Sequence, residues 1–550
     1  MRRMRAAALT GALLAATLGA GVGVFAATAE SPIAAGKAIY RYGALPAGTP
    51  VTGARESGAS VSGRAAACEN CHRRSGLGYV EGNILIPPIT EKYLYRRRSA
   101  NVTDMTMAHV AGFVPRAGAY DDASLGRLIR TGIRPNGSAL NPVMPRYALD
   151  QAAMESLLAY LRTLGSRPAR GVSETTLDFA TIVTPDADPA EKEAMLAVLE
   201  RFFAVQNRVI AGEVRPMHAS REIMYRVTRK WRLHVWELSG PPAAWRRQLD
   251  DHLAAEPVFA VISGLGGRDW GPIHRFCEQN RVPCLLPNVD LPVVAEDDFY
   301  PVYYSRGVLL EADLIAAHLF APDAPQPRRL VEVYRAGDIG GAAAAALERR
   351  AKQAAVELDR RVLPAKSADR GETASALRHA FAGVRPGDAL VLWLRKDDIA
   401  ALRGEPPAAR VFISGLMAGL ESAPVPAAWR AATLETYPVD SPELRRVRMD
   451  FPLGWLHVQH IPVTAEKVQT DTYYACVILS ETLGHMLDSF VPEYLVERME
   501  MMLGRRIING YYPRLGLAPG QRFASKGGYL VRRSDSAAGG VVLASDWVTP

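Results

Sequence analysis

The sequence predicts a multidomain fold, an N-terminal all-α domain followed by an α/β domain built as two lobes. Three observations carry this. The chain has 550 residues, more than one ordinary core fills. The run Gly165-Ser166-Arg167-Pro168-Ala169-Arg170-Gly171 is punctuated by Gly and Pro and has no apolar period, which marks a linker. Before it the chain is loop-rich with short amphipathic helices. From about Thr175 onward, short apolar β-rich runs alternate with amphipathic helical ones. The boundaries expected are 1–29 for a leader, 31–165 for the helical domain, 166–174 for the linker and 175–550 for the α/β domain.

The leader comes first. Arg2, Arg3 and Arg5 precede an uncharged stretch from Ala6 to Ala29 that ends in Ala27-Thr28-Ala29, a small-x-small pattern. This predicts a signal peptide cleaved near Ala29 and a periplasmic protein with no stable membrane span. The alternative is an uncleaved anchor helix, because the stretch nearly spans a bilayer. Apolar residues make up 48% and charged residues 22%, a balance that excludes a disordered chain and a multi-span membrane protein. The formal net charge of +8 includes the three leader arginines, and the remainder is too diffuse to argue for nucleic acid.

The helical segment holds one dense chemical pattern. Cys68-Glu69-Asn70-Cys71-His72 is a C-x-x-C-H, the attachment signature of a c-type haem. Two thiols one short turn apart suit the two vinyl groups, and the adjacent His then lies beneath the iron. A zinc site would need a second Cys or His pair at ligand spacing, and none follows. A redox dithiol normally opens a helix in a βαβ setting, unlike this Gly- and Ser-rich region. Around the motif lie a helix at 34–43, a helix at 123–130 with Leu125, Leu128 and Ile129 on one face, and a loop at 131–147. Asp150 then caps a last helix carrying Met154, Leu157, Leu158, Leu161 and Leu164. On these residues the stretch from Ser31 to Gly165 resembles a class I cytochrome c domain. The resemblance implies one covalent haem c with iron held by His72 and by Met144, which stands directly before Pro145. Met105, Met107 and His109 compete for the sixth position. Tyr93, Tyr95 and Arg96-Arg97-Arg98 either cover the haem, dock an acidic partner or form a solvated loop.

In the α/β domain, FATIV (179–183), LHVWEL (233–238), VFAVIS (258–263) and CLLP (284–287) are expected as strands of the first lobe. LVEVY (330–334) and ALVLWL (389–394) are expected in the second. Helices are expected at 191–207, 243–256 and 341–358. Such alternation implies parallel sheets covered on both faces. This layout resembles a type 1 periplasmic binding protein of the kind serving branched-chain amino acid transporters. The resemblance places the first crossing at 299–319 and a ligand between the lobes at the carboxyl ends of the sheets. Carried over by position, Ser263, Gly264 and Leu265 would offer backbone N–H groups to an anion. Tyr304, Ser305 and Arg306 would sit at the crossing, and Asp338 would follow a second-lobe strand. The bland reading stays open for each: a turn out of a strand, or a helix cap. Cys277 and Cys284 are placed either to form a disulfide or to remain two buried thiols, and Cys476 reads as a small apolar residue.

The function these residues imply is single-electron transfer between the haem and a periplasmic dehydrogenase or respiratory acceptor, with a fused module for a small ligand or that partner. The alternative is a ligand-responsive sensor or solute-binding protein in which lobe closure modulates the haem. An enzyme is disfavoured, because the chain has no dinucleotide fingerprint, metal-ligand cluster or nucleophile elbow.

Overall fold

The computed structural model describes residues 31–82, 84–96, 119–166, 168–212, 229–295, 297–365, 370–486, 489–534 and 540–550. The leader, Arg97, Arg98, Met105, Met107 and His109 lie outside the described residues.

Helix α1 (Pro32–Tyr42) starts at Ser31, whose hydroxyl accepts from the Ala34 N–H at 3.2 Å, and stops at Gly43 with φ +61. There follow β1 (Thr52–Ala54), β2 (Ser60–Ser62), α2 (Glu69–His72), β3 (Tyr79–Glu81), β4 (Ile84–Ile86) and α3 (Glu91–Tyr95). Helix α4 (Asp122–Thr131), β5 (Arg146–Tyr147) and α5 (Gln151–Leu161) complete the N-terminal part. The all-α expectation is corrected here. Strands β2, β1 and β5 form an antiparallel sheet in that order, and β3 pairs with β4. The small residues of 52–54 and 60–62 show no β-branched alternation, so backbone pairing rather than side-chain pattern makes these strands.

The chain divides into two compact units, one running up to Ala67 and including Ser124–Tyr160, the other comprising Cys68–Ala123 and Leu161–Pro550. Within the first unit α1 and α5 cross at Gly36, where an added Cβ would stand 1.9 Å from the Ser156 carbonyl oxygen. Only glycine allows that approach.

The second unit holds the two α/β lobes. In the first lobe β6 (Thr176–Val183), α6 (Pro189–Ile210), β7 (Lys230–Glu237), α7 (Pro242–Ala255), β8 (Ala260–Ile262), α8 (Gly271–Asn280), β9 (Cys284–Leu285) and β10 (Pro301–Val302) alternate. They build a parallel sheet of order β10-β9-β8-β6-β7. Asp188 caps α6, accepting from the Ala190 and Glu191 N–H groups. The second lobe begins with α9 (Val308–Leu319), β11 (Arg329–Arg335), α10 (Gly340–Gln353), β12 (Glu357–Leu363), α11 (Arg370–Ala380) and β13 (Ala389–Trp393). It continues through α12 (Lys396–Ile399), β14 (Arg410–Ile413), α13 (Gly415–Ala418), α14 (Ala427–Arg430) and β15 (Thr433–Tyr437). Three helices then return to the first lobe: α15 (Pro442–Val458), α16 (Glu466–Met486) and α17 (Pro492–Leu503). Ala475, Cys476 and Leu479 of α16 and Leu495 and Met499 of α17 share a core with Phe179, Leu199 and Phe203. The chain crosses once more into β16 (Tyr529–Arg533) and β17 (Val541–Leu543), which add antiparallel strands to the sheet β12-β11-β13-β14-β15-β16-β17.

Three segments therefore join the lobes, and they hold one another through main-chain hydrogen bonds. The Tyr303 N–H donates to the Arg522 carbonyl at 2.8 Å, the Ser525 N–H to Tyr304 at 2.6 Å, and the Asp440 N–H to Tyr511 at 2.8 Å. Cys277 and Cys284 form a disulfide, their Cα atoms 6.1 Å apart at the return from α8 to β9.

Candidate ligand-binding cleft

The carboxyl ends of the first-lobe strands meet the crossings in a small cavity. Asn288 and Asp290 after β9, Tyr304 and Ser305 at the first crossing, Lys467 and Asp471 of α16 and Tyr512 before the third crossing line it, and Leu416 of α13 closes it from the second lobe. Its volume is about 20 Å³, room for one or two waters.

At the end of β8, Ser263 (φ +54) and Gly264 (φ +118) turn the chain sharply out of the strand. A Cβ at Gly264 would stand 3.0 Å from the Trp270 ring and 3.1 Å from the Ile182 carbonyl oxygen, so the turn needs glycine twice over. The Ser263 N–H donates to Leu285 and the Leu265 N–H to Ile182, both at 2.9 Å, which spends them on the sheet. The Ser263 hydroxyl faces the Thr472 hydroxyl at 3.1 Å, and the Asn288 amide donates to both, at 3.0 and 3.2 Å. This network pins α16 to the strand ends.

Tyr304 is buried; its hydroxyl donates to the Asp471 carbonyl at 2.5 Å and its ring stacks on Tyr512, centroids 5.1 Å apart. The Ser305 hydroxyl accepts from the Gly307 N–H at 3.0 Å. Arg306 pairs with Asp313 at 2.6 Å. Asp338 accepts two hydrogen bonds from Arg395, both at 2.7 Å, and one from the Ile339 N–H at 2.8 Å. Of the residues the sequence singled out, Tyr304 and Ser305 line the cavity, whereas Ser263 reaches it through Asn288. Arg306 and Asp338 do not line it. Sequence reasoning missed Asn288, Asp290, Lys467, Asp471 and Tyr512. The i, i+4 pair of Lys467 and Asp471 was a local signal, but its place at the cleft comes only from the return of α16 to the first lobe.

The electrostatics are uneven. Lys467 Nζ lies 2.6 Å from Asp471. Burial works against its charge, yet the Asp471 carboxylate holds the ammonium well above the ordinary lysine value. Asp290 is half-buried, and its carboxylate has no hydrogen bond or ion pair among the described residues. Its charge is felt nearby, since burial first and then Asp290 and Asp188 raise the Glu191 carboxyl. From the second lobe, Arg395 is raised chiefly by its bond to Asp338, then by the charges of Asp338, Asp290 and Asp186.

The C-x-x-C-H segment forms the short helix α2. Cys68 and Cys71 are half-buried in the second unit, and Met144 is half-buried in the first. His72 is buried, and burial lowers its pKa against the opposing hydrogen bond between Nδ1 and the Pro87 carbonyl at 3.0 Å. Tyr93 is buried, Tyr95 donates to Asp122 at 3.1 Å, and Arg96 pairs with Glu91 at 3.3 Å. The next residues anchor the segment to α17: the Ser75 N–H and hydroxyl donate to Glu497 at 2.9 and 2.5 Å, and Arg73 pairs with Glu500. Among the described residues no group of three or more His, Cys, Asp or Glu side chains could hold a metal ion, and no helix is long and apolar enough to cross a membrane.

No protein-family model matches the chain, and no curated protein matches it. Among solved structures it is similar to a fatty acid ABC transporter substrate-binding protein from Thermomonospora curvata, at 14% identity and a TM-score of 0.49, covering 70% of this chain and 95% of that one. It is similar to a leucine binding protein from Thermotoga maritima at 13% identity and 0.47, covering 68% and 99%. It is similar also to a branched chain amino acid ABC transporter from Thermus thermophilus with bound valine, at 12% identity and 0.46, covering 68% and 97%.

The haem expectation is corrected on these findings. His72 is buried with its Nδ1 hydrogen-bonded to the Pro87 carbonyl, and among the described residues no group of three or more His, Cys, Asp or Glu side chains could hold a metal ion. The assignment of haem c to Cys68, Cys71, His72 and Met144 is withdrawn. Single-electron transfer to a dehydrogenase or respiratory acceptor rested on that group and falls with it.

Proposed function

We propose that the chain is an exported solute-binding protein whose lobes close on a small solute carrying an amine. The observation that carries this is the uncommitted, half-buried Asp290 carboxylate in a cavity between two α/β lobes, at the carboxyl ends of the strands. A charge left without a partner at a half-buried position costs stability, and a cationic group of a ligand offsets that cost. The stacked faces of Tyr304 and Tyr512 supply apolar wall, and the Lys467–Asp471 pair supplies both signs of charge. The disulfide between Cys277 and Cys284 fits an oxidising compartment, which supports the periplasm. Amino acids are the probes that match the charges here.

The test is a panel of amino acids, simple amines and short fatty acids, read by calorimetry and by the shift in melting temperature. An amine-bearing solute should bind, and Asp290→Asn should weaken it about tenfold or more with the melting temperature of the free protein unchanged or raised. Binding of fatty acids alone, or amine binding indifferent to Asp290→Asn, refutes the reading.

A further inference from the structure

Helix α15 carries an apolar stripe that nothing in the described chain covers. Leu444, Val447, Phe451 and Val458 are 54%, 65%, 53% and 66% exposed. They fall at alternating spacings of three and four once Gly454 is counted, the spacing of a helix–helix seam. The buried face of the same helix, Arg445, Met449, Pro452 and Leu456, already packs inward. Pro452 is on that inner face, away from the stripe. Together the four exposed side chains form an apolar patch of a few hundred Å², the size that on a soluble protein marks an interaction site.

The occupant is read from the stripe and its edge. Large and small residues alternate so that the stripe complements itself when two copies run antiparallel. Val447 then faces the partner subunit's Phe451, and Leu444 faces the partner subunit's Gly454. An added Cβ at Gly454 meets nothing within 4 Å, so that position is an open notch of the kind a leucine fills. The charged edge complements itself in the same register. Exposed Glu443 falls opposite the partner subunit's His457, and Arg446 reaches the partner subunit's Asp450. Among the described residues Glu443, Arg446 and Asp450 make no ion pair within the chain, so these charges are free to pair across a two-fold axis. A parallel pairing would instead stack like charges along the whole edge and leave Gly454 facing Gly454, whereas the antiparallel one brings only the two Asp450 carboxylates together at the axis, each within reach of the partner subunit's Arg446.

We propose that the protein forms a homodimer through α15, packed antiparallel on a second copy about a two-fold axis that passes beside Asp450. The patch is small beside the roughly 800 Å² per partner of a standard interface, so the dimer is reversible and concentration-dependent. The interface is built on α15 and leaves the cleft-lining residues free, so dimer and solute binding are separate properties.

The test is sedimentation velocity of the full chain across a wide concentration range. A monomer–dimer equilibrium is expected. Val447→Glu with Phe451→Glu should weaken it about a hundredfold, because both residues sit at the centre of the seam. Both positions are exposed, so the melting temperature should stay put. Under oxidation, Asp450→Cys should give an inter-subunit disulfide above the background of the unmodified chain, whereas Leu444→Cys should not. A monomer at every concentration overturns the proposal, as does a dimer indifferent to the double variant. Cross-linking at Leu444→Cys in place of Asp450→Cys overturns the antiparallel register.

Discussion

Glu311 is the buried group whose removal the structure makes most informative. It lies on α9 with no exposed surface, and three donors from two other elements converge on it. One carboxyl oxygen accepts from the Leu416 N–H at 2.9 Å and the Thr436 hydroxyl at 2.7 Å; the other accepts from the Ser414 hydroxyl. Glu311→Ala leaves all three donors buried without a partner and opens a cavity. At about 1–3 kcal/mol per orphaned group, and with network members not simply additive, the loss is about 3–5 kcal/mol. Glu311→Gln keeps an oxygen for Leu416 and Thr436. It turns an NH₂ toward Ser414, whose oxygen already accepts from the Met417 N–H, so its cost is about 1 kcal/mol. The pH dependence separates the two variants further. Burial raises the Glu311 carboxyl from 4.5 to about 7, against the three hydrogen bonds. The folded state thus prefers the neutral acid. Its contribution is whole below about pH 4.5 and drains away as pH rises to about 7, a loss of about 3 kcal/mol at 1.4 kcal/mol per pH unit. Urea denaturation at pH 5 and pH 8 measures this: the deficit of Glu311→Gln should shrink or reverse at the higher pH. An Ala variant within about 1 kcal/mol of the parent, or a Gln variant with the parent's pH slope, refutes the reasoning.

Other buried groups give shorter predictions. Burial raises Glu497 to about 8, so stability should fall again from about pH 4.5 to 8, and Glu497→Gln should flatten that limb of a melting-temperature profile. Replacing Cys277 and Cys284 by serine opens a short loop, which should cost about 2–3 kcal/mol in denaturant, and reduction of the parent should reproduce it. Gly264→Ala forces a side chain into φ +118 against Trp270 and Ile182, and should lower stability by about 1–3 kcal/mol in the same assay.

Of the α/β strands, β6, β8, β9, β11 and β13 were legible because they are largely buried and read as mostly apolar runs, whereas β10, β12 and β14 to β17 were not among the runs the sequence marks. VFAVIS contains β8, LVEVY lies in β11 and ALVLWL contains β13. β7 is the exception, an edge strand whose residues alternate between exposed and buried, although LHVWEL was read as a buried run. The return of α16 and α17 to the first lobe was not legible, because helical periodicity says which face is buried and not against which sheet. Lys467 and Asp471 were lost for the same reason, whereas Tyr304 and Ser305 were found because they sit directly on a crossing. The Cys68, Cys71 and His72 spacing misled differently. Spacing fixes three residues, but the environment of His72 is made by Pro87 and the contacts of its neighbours by Glu497 and Glu500, far along the chain.

On the proposed solute-binding reading, the charges around the cleft also decide what kind of solute closes it. Asp290 lies on the first-lobe side together with Lys467 and Asp471, which ride on the returning α16. Arg395 and Asp338 belong to the second lobe, and Arg395 feels both Asp290 and Asp186 across the gap. A simple amine at Asp290 cancels part of the field that draws Arg395 inward, so it binds the first lobe without rewarding closure. A zwitterion brings an anionic group with its amine, which restores a negative partner for Arg395 or Lys467 in the closed state. Only the second solute has a differential affinity for closed over open lobes, and only such a solute shifts the population. Small-angle scattering should therefore show a smaller radius of gyration with an amino acid bound than with a bound simple amine of matched side chain. Arg395→Gln should abolish that difference and spare the binding of the simple amine. Equal compaction by both solutes refutes this assignment of roles and leaves Arg395 as a structural partner of Asp338.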